Sequence, residues 1–206
     1  MRALATTAKA VTRRAGSTRK TRLETAEQRE IDNPRLAVPV DPGRDHVQGP
    51  PTATLTLVEY GDYQCPFCGA AYPEVKKAQK ELGSNLRFVF RNFPLTRMHE
   101  FALNAAETAE AASAQGKFWE MHDFLYEHQS TLGDPSVALE FAKKLGLDTK
   151  KFQSELSQHK YQSRVKEDFD GGVRSGVNGT PTFYVNGVRH EGEATAKDLV
   201  KALQAK

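Results

Sequence analysis

Cys65 and Cys68 are the only two cysteines of the 206-residue chain, and they stand three apart in Cys65-Pro66-Phe67-Cys68. The loop they would bridge is too small for a disulfide to add much to a fold's stability. Their spacing therefore points to thiol chemistry: electron exchange with outside sulfurs, or capture of a soft metal ion. A structural zinc site needs a second pair of ligands. There is no third cysteine, and none of the six histidines is spaced to pair with the motif. Reversible formation of one intramolecular disulfide is the expected reaction, with no metal and no bound cofactor, because the electrons reside in the cysteine pair.

Such a pair needs a helix start beneath it. Pro66 suits a first helical position, and the pattern predicts a helix from about Pro66 to Leu82, ended by Gly83. Cys65 then sits where free backbone N–H groups and the helix dipole favour a thiolate, and Cys68 lies on the same side of the first turn. Cys65 is read as the nucleophile and Cys68 as the thiol that resolves a mixed disulfide. A strand is expected from Thr54 through Tyr60, closed by Gly61-Asp62, and a second from Leu86 to Arg91. Strand, helix, strand at this spacing is a βαβ unit with parallel strands. Residues 97 to 176 read as helical throughout. Asp134-Pro135 starts one of these helices, and Tyr161, Val165, Phe169 and Val173 form the stripe of the last. Asn186-Gly187 between Thr182–Val185 and Val188–His190 signals a hairpin, and Thr195 with Asp198 opens a final helix.

Two separated segments carry a family likeness. Glu59-Tyr60-Gly61-Asp62-Tyr63-Gln64-Cys65-Pro66-Phe67-Cys68-Gly69 resembles the active-site segment of DsbA-like thioredoxin-fold proteins, and Gly179-Thr180-Pro181-Thr182-Phe183-Tyr184-Val185-Asn186-Gly187 resembles their cis-proline strand and hairpin. The resemblance covers about residues 50 to 206. It implies an α/β thioredoxin fold, a four-stranded mixed sheet in the order β-α-β … β-β-α, with an inserted all-helical subdomain. It also implies a cis peptide before Pro181, a backbone edge at Thr180 on which a client strand can pair, and a buried acid at Glu59 that trades protons with Cys68. Pro66 and Phe67 would meet the client. Family members with histidine at the Phe67 position gain a thiolate stabiliser that phenylalanine lacks, so Cys65 is expected to be less acidic, and the disulfide less oxidising, than in the strongest oxidants of the family. His99, Trp119, His122 and His128 read as structural or exposed.

The implied partners are protein or peptide thiols and disulfides, together with a redox protein that recycles the pair. Two other functions stay open: a non-catalytic peptide-binding or chaperone module, and a glutathione-using transferase on a related fold. Charge adds exclusions. The net charge is +3, but residues 1 to 22 hold seven basic residues and no acid, leaving 22 basic against 26 acidic residues in the rest. That distribution does not suit nucleic-acid binding, and no apolar run is long enough for a membrane span. Residues 1 to 50 read as a disordered basic arm and linker, rich in breakers such as Asn33-Pro34 and Gly49-Pro50-Pro51. With no continuous apolar stretch after the early basic residues, a cytoplasmic location is expected, periplasmic being the alternative.

Overall fold

The computed structural model describes residues 34–205, so the basic start of the chain, residues 1–22, lies outside the described residues. Residues from Arg35 onward form one compact unit. Its strands are β1 (His46–Gln48), β2 (Leu55–Gly61), β3 (Leu86–Asn92), β4 (Thr182–Val185) and β5 (Val188–Arg189). Its helices are α1 (Pro66–Leu82), α2 (Ala102–Ser113), α3 (Phe118–Glu127), α4 (Pro135–Lys144), α5 (Thr149–Ser157), α6 (Gln162–Arg174) and α7 (Ala196–Gln204).

The sheet runs β1-β3-β2-β4-β5. β2 and β3 are parallel, with Leu57 beside Phe88 and Glu59 beside Phe90, as the βαβ spacing requires. β4 is antiparallel to β2 and sets Phe183 against Glu59. Leu57, Phe88, Phe90, Phe183 and Val185 belong to the larger core, which also takes the inner faces of α1 and α7. Val58, Tyr60, Val89 and Tyr184 point to the opposite side and meet Phe93, Val177 and Phe169 of α6. The α/β thioredoxin fold with a helical insert is thus present, and α2 to α6 make the insert.

Local signals place the element ends. Asp134 accepts from the Ser136 N–H to cap α4, and Thr195 accepts from the Asp198 N–H to cap α7. Asn186 and Gly187 both take positive φ, 50° and 83°, which a tight hairpin matched to the sheet twist demands.

Two expectations need correction. The sheet has five strands rather than four, and the segment read as linker is ordered back to Arg35. The cause is a buried charge. Arg91 is 1% exposed on β3. Its guanidinium donates to both Asp45 carboxylate oxygens at 2.9 and 3.0 Å, to the Tyr60 hydroxyl, and to the carbonyls of Val38 and Pro39. Asp45 is equally enclosed, and Arg91 with the Asp41 N–H holds its carboxyl below the usual range against the pull of burial. A buried arginine needs this full set of acceptors, and residues 38–45 supply all of them but the Tyr60 hydroxyl. His46 follows, stacked on Phe118 with ring centroids 3.4 Å apart, and β1 then pairs with β3. The insert is also shorter than read: residues 93–101 have no long helix, and their backbone serves the site described next.

Candidate redox site

Cys65 is the N-cap of α1, with extended backbone at φ −68° and ψ 122°. That conformation turns its sulfur back over the first helical turn. The sulfur takes hydrogen bonds from the Cys68 thiol and from the N–H groups of Cys68 and Phe67. It also lies 3.3 Å from the carbonyl oxygen of Thr180. The Cys68 thiol foremost, then the Thr180 side chain and the two N–H groups, outweigh partial burial and bring the Cys65 pKa down from 9.0 to about 5. Phe67 adds nothing from its ring, which is 73% exposed. The thiolate rests on Cys68, on the Thr180 side chain and on backbone N–H groups, with no histidine in the motif.

Cys68 is fully buried and accepts from the Asp62 N–H at 3.5 Å. Burial pushes its thiol well above the usual range, and the neighbouring Cys65 sulfur and Glu59 add to the rise. Glu59 is 2% exposed on β2, and its Oε1 has no hydrogen-bond partner among the described residues. Burial first, and the Cys65 charge second, push its carboxyl up to about 8. Thr180 and Pro181 cross in front of Cys65, joined by a cis peptide bond. Pro66 and Phe67 are exposed beside them. The structure therefore gathers Glu59, Cys65, Cys68, Thr180 and Pro181 at one end of the sheet, with Pro66 and Phe67 on its rim.

Several residues that hold this loop were not expected from sequence. Asp62 is buried and accepts from the N–H groups of Gln64 and Leu95 and bonds His99 Nδ1, all at 2.8 Å. His99 thus has a structural role, as read. The first contact is an Asx turn, which Asp62-Tyr63-Gln64 could have signalled. Gln64 accepts from the Phe101 N–H at 2.6 Å, and Gln129 donates to the carbonyls of Tyr63 and Cys65. No local pattern marks either glutamine. His122 is buried among Tyr63, Phe90 and Tyr126, and burial lowers its pKa well below the usual range, so it is neutral there. Trp119 packs on Phe88 and donates to the Val47 carbonyl at 3.3 Å.

This fold and dithiol define a class, a thioredoxin-type domain with a helical insert. The family model described as Thioredoxin matches residues 41–205, and the chain belongs to that family. A thioredoxin-like oxidoreductase from Silicibacter pomeroyi is 30% identical, with a TM-score of 0.65, over 79% of this chain and 91% of that one. BdbD from Bacillus subtilis, 24% identical, superposes with a TM-score of 0.72 over 84% of this chain and all of that one, a likeness of fold. A relative from Salinispora arenicola named Na(+)/H(+) antiporter NhaA 1 is 49% identical over 168 residues, which are 82% of this chain and 26% of the relative. The chain spans about a quarter of the length of the curated relatives it matches.

Proposed function

We propose that the chain is a thiol–disulfide oxidoreductase acting on protein or peptide thiols, with Cys65 as nucleophile and leaving thiolate and Cys68 as the buried resolving thiol. The observation that carries this is the asymmetry of the pair: one sulfur at a helix start against a free backbone edge, the other enclosed beside an acid. In client oxidation a client thiolate attacks Cys65 Sγ of the Cys65–Cys68 disulfide. The S–S bond breaks, and Cys68 leaves with the electron pair. Because burial disfavours the Cys68 anion, it takes a proton from Glu59, whose carboxyl still carries one near neutrality. A second client thiolate then attacks the client sulfur of the mixed disulfide and releases Cys65 as thiolate. The client gains a disulfide and the protein becomes a dithiol. A second redox partner must then take two electrons to reset it. The client backbone pairs along Thr180, and Phe67 and Pro66 pack on its side chains.

A stabilised Cys65 thiolate favours the reduced protein, so the couple runs toward oxidising clients. That direction suits a compartment where disulfides persist, and we propose an oxidising one in place of the cytoplasmic expectation. The antiport of the named relatives belongs in this reading to the three quarters outside the shared region. Among the described residues no helix is long and apolar enough to cross a membrane.

The test is equilibration of the purified protein against a glutathione redox series, with Cys65→Ser and Cys68→Ser beside it. One reversible intramolecular disulfide is expected, and Cys68→Ser should accumulate a mixed disulfide on Cys65. A pair that stays reduced across the series, or a Cys65→Ser variant that still turns clients over, sinks the proposal in favour of a binding module.

A further inference from the structure

Cys65 is tied to the helical insert by a single side chain. Gln129 lies in the turn after α3, 64 residues from Cys65. Its Nε2 uses both hydrogens on the redox loop, donating to the Tyr63 carbonyl at 2.7 Å and to the Cys65 carbonyl at 3.0 Å. The Cys65 carbonyl also accepts the first helical bond of α1, from the Gly69 N–H at 3.1 Å. Tyr63 is 1% exposed, so without Gln129 its carbonyl would be buried with no donor.

Gly69 supplies an independent sign that this contact is built. A Cβ at Gly69 would fall 2.7 Å from the Gln129 amide carbon and closer still to its oxygen. The amide covers the bare backbone of Gly69 at the end of the first turn of α1. Gly69 has no positive φ to explain it. Its lack of a side chain is explained by the amide that covers it.

We propose that Gln129 is a positioning residue for the Cys65 nucleophile: from the helical insert it fixes the two carbonyls flanking the N-cap, and so keeps the sulfur over the first turn of α1. This rests on the oxidoreductase reading. The sulfur meets the Phe67 and Cys68 N–H groups only while ψ of Cys65 stays extended, and ψ is the torsion that the two carbonyl contacts restrain. Any movement of the insert against the sheet, as on client docking, reaches Cys65 through this amide.

Three variants test it: Gln129→Met, which keeps length and loses the donors; Gly69→Ala, which leaves Gln129 intact but displaces its amide; and the double variant. Thiolate absorbance against pH, the glutathione equilibrium and the melting temperature are read for each. Both single variants should raise the Cys65 titration midpoint by about half a pH unit, about threefold in proton affinity, and shift the glutathione equilibrium toward the disulfide. The double variant should move no further than either single, because both remove one contact. A lowered melting temperature with an unmoved midpoint overturns the proposal, and so do shifts that add in the double variant. A wild type that does not exchange with glutathione at all sinks the oxidoreductase reading itself, whereas a wild type that exchanges beside variants identical to it overturns only the role of Gln129.

Discussion

Glu59→Gln should make the reduced protein more stable near neutrality while slowing its chemistry, and the size of the gain can be worked from the site. Glu59 ionises near 4.5 when solvated and near 8 when folded. A raised folded pKa on an acid means the folded state holds a proton that the unfolded state has released. Its contribution is therefore intact below pH 4.5 and is lost as pH rises toward 8. At pH 7 the loss is about 3 kcal/mol, from two and a half pH units at about 1.4 kcal/mol each. Cys65 works the other way. Its pKa falls from 9.0 to about 5, so the stability it adds grows as pH rises from 5, is complete above 9, and is withdrawn as pH falls through 5. The sulfur is less completely enclosed than the carboxyl, so its gain is the smaller of the two. In the reduced wild type the two slopes oppose each other across pH 5 to 8, and stability should change little. Glu59→Gln removes the falling part. Urea unfolding under reductant should then show stability rising with pH, level with wild type near pH 4 and about 3 kcal/mol above it at pH 7. Cys65→Ser should do the reverse and fall with pH. A Glu59→Gln variant whose gain is the same at pH 5 and pH 8, or absent at both, would refute the assignment of Glu59 as a buried, protonated carboxyl.

Thiolate absorbance of the reduced protein should rise with a midpoint near pH 5, and a midpoint near 9 would mean that the helix start does not stabilise the sulfur. Arg91→Leu should cost about 3–5 kcal/mol in urea unfolding, because it leaves the Asp45 carboxylate buried with its main partner gone; a loss under about 1 kcal/mol would show that water reaches the pair. A chain started at Pro50 lacks β1 and every acceptor of Arg91 but the Tyr60 hydroxyl, so its melting temperature should drop sharply; a near-native value would return residues 35–49 to the status of linker. Gly187→Ala, at φ 83°, should cost about 1 kcal/mol by differential scanning calorimetry, and no loss would mean that the hairpin turn rearranges freely.

What the sequence disclosed depended on how far apart the interacting residues stand. Gly83 ending α1, Asp134 before Pro135, Thr195 with Asp198, and Asn186-Gly187 are contacts within four residues, and each left a mark that can be read along the chain. The candidate site was legible for a different reason: Cys65 and Cys68 are the chain's two cysteines, and Pro181 stands in a segment that resembles the family's. β1 was hidden because three residues have no usable periodicity, and because the force that orders them is a guanidinium 46 positions away from Asp45. Arg91 itself looked like a charge at a strand end. Nothing in its neighbours reveals that Val38, Pro39, Asp45 and Tyr60 close around it.

The site divides along the same line. Hydrophobic periodicity reports which face of an element is buried, so it finds α1 and β2, while the burial of Glu59 was implied by the family resemblance. It is blind to an amide that crosses to a carbonyl 66 residues away, as Gln129 does to Tyr63, or to a side-chain oxygen that receives a distant backbone N–H, as Gln64 does from Phe101. Yet those contacts hold the turn in which Cys65 sits. The absence of histidine at Phe67 suggested a Cys65 less acidic than in the family's strongest oxidants, and what lowers its pKa here is first the Cys68 thiol, then the Thr180 side chain and the N–H groups of the turn. In the proposed reading the motif names the sulfur that reacts, while the turn that holds it is tied to the insert by Gln64 and Gln129.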